Sequence, residues 1–189
     1  DREIGQRGSG RVSLDVMKIT SVDILKCGAG FRDFCFVKMS TDGVMSSGKA
    51  IVGWSEFLEE RNMGLDGCIS WLGGLLVGRD PLPYGSLVAE LKAHTRHVAG
   101  GIAGQAIGAL ENALLDVVGK AYGVPVCALF GGPYRDTLEC YWSHCGSFRV
   151  GLSEHLVNPR SGARVERLDS DEGIERLCAE VKASGFSSL

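Results

Sequence analysis

The sequence has no Cys-x-x-Cys pair, no long uncharged run and no surplus of positive charge, and each absence closes off a class of function. Its seven cysteines (27, 35, 68, 127, 140, 145 and 178) are scattered and odd in number. A disulfide framework or zinc ribbon would show paired spacings, so they are read as reduced, mostly buried thiols of a cytoplasmic protein. The uncharged stretch 98–110 is glycine-rich and shorter than the ~20 apolar residues a bilayer span needs. The opening residues DREIGQRGSGRVSLD lack the apolar centre of a secretory signal. A net charge of −3 argues against a general nucleic-acid binder. Gly28-Ala29-Gly30 lacks the third glycine of a dinucleotide fingerprint, and no strand–helix unit follows it.

What is present is ordinary in bulk. Apolar residues make up 44% and charged residues 23%, the balance of a globular protein. A chain of 189 residues holds one domain, or a small domain and part of another.

The periodicity organises it further. Residues 1–16 are expected as a flexible extension. The runs 17–27, 34–40 and 50–58 are β-rich, the first alternating imperfectly, and read as three strands. Thr41-Asp42-Gly43 is a hairpin signal. Ile69, Leu72, Leu75 and Leu76 suit a helix that Gly73-Gly74 weakens by about 1 kcal/mol per glycine. Leu87, Leu91, Thr95 and Val98 mark a second helix, with Ser86 as the candidate residue near its N-cap. The clearest helix covers 102–122, where Ala103, Ile107, Leu110, Leu114, Val117 and Ala121 share a face. Its glycines 101, 104 and 108 suggest close approach to a neighbouring backbone. Residues 137–145 then alternate as a strand, and 171–184 form an amphipathic helix with acid in its first turn. The fold class is therefore a three-stranded antiparallel meander plus a helical bundle, an α+β unit, followed by strand–helix–strand in the manner of a parallel α/β layer.

The segment ALLDVVGKAYGVPVCALFGG (113–132) resembles the signature that closes the N-terminal cap domain of the enolase superfamily, in its mandelate racemase / muconate lactonizing enzyme branch. MKITSVDIL (17–25), VKMSTDG (37–43), VGWSEF (52–57) and LLVGRDP (75–81) resemble the same branch in the same order. The resemblance implies a cap over 17–132 and the start of a (β/α) barrel over 133–189, incomplete in this chain. It also implies chemistry. A base removes the proton α to a carboxylate, and Mg²⁺ held by barrel residues beyond this chain stabilises the resulting enediolate. Racemisation, cycloisomerisation and acid-sugar dehydration are the outcomes it offers. The implied partner is a small-molecule carboxylate or acid sugar, with no nucleic acid and no membrane, in a homo-oligomer.

Candidate site residues follow. Arg32, Glu59, Glu60 and Arg61 lie after the first and third strands, where the resemblance places two loops that touch substrate and exclude water. The competing reading is a solvated charged loop. Ser143 and His144 end the strand that would open the barrel, with packing as the alternative. No catalytic or metal-binding residue is assigned within the chain. A zinc site at Cys140, His144 and Cys145 is rejected, because a strand would set the first two ~13 Å apart and turn His144 and Cys145 to opposite faces. His94 and His97 have metal-compatible spacing without a third ligand. Asp116 and Lys120, although catalytic in type, are read as structural. A second functional reading stands beside the enzyme: a non-catalytic α+β module that acts in oligomerisation or binding.

Overall fold

The computed structural model describes residues 17–28, 32–58, 63–143, 147–151, 153–157, 162 and 164–186. The expected extension 1–16 lies outside them. Strands β1 (Ile19–Gly28), β2 (Asp33–Val44) and β3 (Ala50–Phe57) form an antiparallel sheet in the order β1-β2-β3. Alternation decides which face is buried. Cys35, Val37, Met39 and Thr41 of β2 point inward, as do Ile51, Gly53, Ser55 and Phe57 of β3, and all are buried.

The hairpin between β2 and β3 corrects one expectation. Thr41-Asp42-Gly43 is not the turn. The strands shift register between Ser40 and Val44, and the chain reverses at Ser46-Ser47-Gly48. Two side chains hold the irregularity. The buried Thr41 Oγ1 donates to the Ile51 carbonyl (2.7 Å) and accepts from the Gly43 N–H (3.2 Å). Asp42 Oδ1 accepts from the Lys18 N–H (2.6 Å). A positive φ of 80° at Gly48 takes the left-handed position that the turn requires.

Helices α1 (Leu65–Gly74) and α3 (Gly101–Tyr122) cover the inner face of the sheet, and α2 (Tyr84–His94) packs against α3. Ser86 is not an N-cap. Pro83 holds that position, and Ser86 Oγ donates to its carbonyl (2.9 Å). The fixed proline φ suits a helix start. α3 is the central element, with Leu110, Leu114 and Val117 fully buried. Truncating either leucine to Ala costs about 2–5 kcal/mol. α3 ends where Gly123 adopts φ 68°, with the Val124 N–H donating to the Gly119 carbonyl (2.9 Å) and the Gly123 N–H to that of Lys120 (3.3 Å). This paired bonding satisfies carbonyls that the helix leaves open. Pro125 then bars its continuation.

The early glycines of α3 do not make the close approach that their spacing suggests. A Cβ added at Gly104 or Gly108 would meet nothing within 4 Å. The close approaches lie elsewhere. A Cβ at Gly53 would sit 2.2 Å from the Ala113 carbonyl oxygen of α3, and one at Gly73 would sit 2.8 Å from Val22 Cγ1. Each glycine lets a helix settle onto a strand.

After the short 3₁₀ turn Val126–Phe130, the described part of the expected strand 137–145, residues 137–143, is not a strand, and all of it except Trp142 is exposed. A strand's N–H and C=O groups need a neighbouring strand, and among the described residues none runs beside this stretch. A second, small cluster follows. α4 (Ser147–Gly151) leads to α5 (Asp171–Ala183). Leu168, Leu177 and Val181 pack with Trp142 and Phe186, whose rings meet edge-on at 5.3 Å. Both terminal guanidinium nitrogens of the buried Arg149 donate to Glu180 Oε2 at 3.2 Å. Ser170 Oγ caps α5 by accepting from the Gly173 N–H. Among the described residues no helix is long and apolar enough to cross a membrane.

Candidate substrate-facing end of the cap

Antiparallel register brings both candidate loops to one end of the sheet. Gly28 pairs with Asp33 and Cys35 with Phe57. The end of β1, the start of β2 and the end of β3 therefore lie together, and α1 begins eight residues after β3. Arg32 immediately precedes β2, half-buried, with its guanidinium carbon 4.3 Å from the centre of the Phe34 ring. The ring's negative face favours a cation there, and a guanidinium presents a planar fork of donors matched to a carboxylate. Lys26 Nζ meets Asp66 Oδ2 at 3.1 Å, joining the end of β1 to the first turn of α1. That ion pair is well exposed and worth at most about 1 kcal/mol.

Of the other candidates, Glu59, Glu60, Arg61 and His144 lie outside the described residues, as does Cys145. Ser143 is exposed and follows Trp142 of the second cluster. Cys140 is exposed too. His94 closes α2 with its ring edge-on to Trp71 at 6.5 Å. His97 Nε2 accepts from Arg96 Nε at 3.1 Å. Both histidines line an open groove of about 400 Å³ with Glu90, Ala93 and Arg96. Arg79 holds the Glu90 carboxylate through both oxygens (2.8 and 2.9 Å), and this pairing keeps the carboxyl below the usual glutamate range.

Among the described residues no three or more His, Cys, Asp or Glu side chains converge in a way that could hold a metal ion. The described residues therefore do not fit a Mg²⁺ site. What they offer at this end is one guanidinium set on an aromatic face, suited to holding an anion.

Asp116 and Lys120 show what the sequence concealed. The i,i+4 pair bonds internally (Lys120 Nζ to Asp116 Oδ2, 2.6 Å), and each partner also reaches the sheet. The Trp54 N–H donates to Asp116 Oδ2 (2.8 Å), and Lys120 Nζ donates to the Val52 carbonyl (2.7 Å). These are structural bonds across 62 and 68 residues of chain. No short-range spacing signals them.

A meander backed by three helices, with two loops gathered at one sheet end, defines the class: an N-terminal cap domain of the enolase superfamily. The sequence profile of the mandelate racemase / muconate lactonizing enzyme N-terminal domain matches residues 27–131, and the chain belongs to that family. A D-galactonate dehydratase of Variovorax paradoxus (strain S110) is 34% identical over 178 residues, covering 88% of this chain and 44% of the relative. The D-galactonate dehydratase of Xanthomonas axonopodis pv. citri is 36% identical over 107 residues, covering 56% of this chain and 26% of the relative. Among solved structures, a candidate L-alanine-DL-glutamate epimerase of Burkholderia xenovorans, bound to magnesium and fumarate, superposes with a TM-score of 0.76 at 37% identity. That match covers 88% of this chain and 38% of the other. The chain thus spans less than half the length of these relatives.

Proposed function

We propose that this chain is the N-terminal part of an enzyme that abstracts the proton α to a carboxylate, with an acid sugar such as galactonate as the leading substrate class and dehydration as the leading outcome. The observation that carries the reading is the match over 88% of the chain to a D-galactonate dehydratase. In this reading residues 17–132 are the cap and residues 133–189 open the barrel. Arg32 contributes a cation to the substrate-facing rim, joined there by Glu59, Glu60 and Arg61, and Ser143 and His144 end the stretch that becomes the first barrel strand only when the rest of the barrel supplies it with neighbours. Mg²⁺ is held by parts of the enzyme that this chain does not cover. The enzyme is cytoplasmic and homo-oligomeric.

The second reading, a non-catalytic module, is favoured by one observation. Leu138 and Tyr141 stand largely exposed, as does Tyr134 just before them. Exposed apolar surface of this kind marks an interaction site.

The mass of the native gene product separates the two readings. The enzyme requires a polypeptide of more than twice 20.2 kDa, in line with the relatives' length. A product of about that single mass would sink it. Calorimetry adds a check on the chain alone: the isolated 189 residues should show no micromolar Mg²⁺ affinity, and tight binding would mean a ligand set within them.

A further inference from the structure

We propose that Asp116 and Lys120 form a lock that closes the free edge of β3 against strand addition by a second copy of this chain. Among the described residues β3 is an outer strand. An outer strand presents a row of N–H and C=O groups that another strand can extend. In an antiparallel ladder the two groups of one residue point to the same side, and the side alternates along the strand. Val52 and Trp54 share the outward side. The outward carbonyl of Val52 and N–H of Trp54 are the two groups that Lys120 and Asp116 occupy. The lock is only half-shielded from water, with side-chain exposures of 28% for Asp116 and 35% for Lys120. Its removal would leave the edge open to contact.

The strand itself makes the need plain. Residues 50–55, AIVGWS, carry no charge and no proline. A short, uncharged, β-rich window is the composition of segments that pair with copies of themselves. Trp54 adds an exposed ring at the same place. The opposite edge of the sheet is closed at its start by main chain instead: the Ile19 N–H donates to the Arg79 carbonyl (2.9 Å), and the Gly78 N–H to the Ile19 carbonyl (2.8 Å). At β3 the corresponding closure comes from two side chains, so single substitutions can open it. Gly53 completes the arrangement, because its missing Cβ is what lets α3 come near enough for both side chains to reach.

The test compares four variants of the full chain by light scattering across a concentration series, with amide exchange on each species. Asp116→Ala should produce a species of twice the wild-type mass, with the outward amides of residues 52, 54 and 56 newly protected in it. Lys120→Met keeps the Asp116–Trp54 bond and the side-chain length, and should produce the same species at higher concentration; it covers the case in which Asp116→Ala does not fold. Asp116→Asn retains an oxygen acceptor for the Trp54 N–H and should keep the wild-type mass. Leu87→Ala removes a buried α2 side chain and leaves the lock intact, so it should lower stability without association. Wild-type mass for both Asp116→Ala and Lys120→Met would overturn the proposal. So would equal association by Leu87→Ala, since loss of stability alone would then explain the effect.

Discussion

Replacing Gly53 with Ala tests how the cap is held together. The added Cβ would fall 2.2 Å from the Ala113 carbonyl oxygen and 2.6 Å from Val117 Cγ2. Val117 could turn aside, but the Ala113 oxygen belongs to the backbone of α3. The helix would have to retreat until that 2.2 Å contact opened to at least 3.4 Å, where ordinary contact begins. Retreat would also stretch the bonds from Trp54 to Asp116 and from Lys120 to Val52. Overpacking a tight core typically costs about 1–3 kcal/mol, and strained hydrogen bonds to charged groups add to it. Against this, Ala restricts the unfolded chain and returns about 0.4–1 kcal/mol. The net expectation is a loss of about 2–4 kcal/mol, or about 5–15 °C in Tm for a chain of this size. Urea unfolding followed by circular dichroism measures it. A change within about 0.5 kcal/mol, the range of a neutral surface substitution, would refute the packing argument.

The opposite outcome is expected at Gly104. Its site is open, and Gly104→Ala should stabilise the chain by about 0.5–1 kcal/mol in the same unfolding assay. Ser170→Ala removes the hydroxyl that caps α5, and should cost about 1 kcal/mol, visible as faster amide exchange through residues 171–183. The Glu90 carboxyl is held low chiefly by its hydrogen bonds from Arg79. A lowered carboxyl contributes stability that is present above its unfolded pKa, about 4.3, and lost as pH falls through its folded value. The window therefore lies at the acid end. Arg79→Gln should move the Glu90 titration, followed by NMR, back up towards the ordinary range, and an unmoved titration would contradict the pairing.

Much of the cap was legible because its signals are local. The inward alternation of Cys35, Val37 and Met39 and the helical spacing of Leu110, Leu114 and Val117 each follow from one element's own geometry. The turn after β2 was misplaced because Thr41-Asp42-Gly43 has turn chemistry. Only tertiary bonds, from Thr41 to Ile51 and from Lys18 to Asp42, convert it into an irregularity within the ladder. Glycine spacing on α3 misled for a related reason: whether a missing Cβ matters depends on what stands opposite, and Gly53 on another element was the position that mattered. Residues 137–143 alternate as a strand should, yet alternation cannot supply the neighbour that a ladder needs. As for the site, Arg32 could be placed at the sheet end by counting strands. The Lys26–Asp66 and Asp116–Trp54 contacts could not, since 40 and 62 residues separate the partners.

In the proposed reading, the chemistry lies mostly outside this chain. The role proposed for Arg32 is to orient an acid; proton abstraction needs a base as well, and none is assigned within these residues. The native polypeptide carrying this segment should therefore be incubated with galactonate and related acid sugars in deuterated water containing Mg²⁺. The expected result is conversion, or deuterium incorporated at the carbon next to the carboxylate, that disappears when the metal is chelated. Neither conversion nor incorporation with any of these acids, or exchange undiminished by chelation, would contradict the enzyme reading directly.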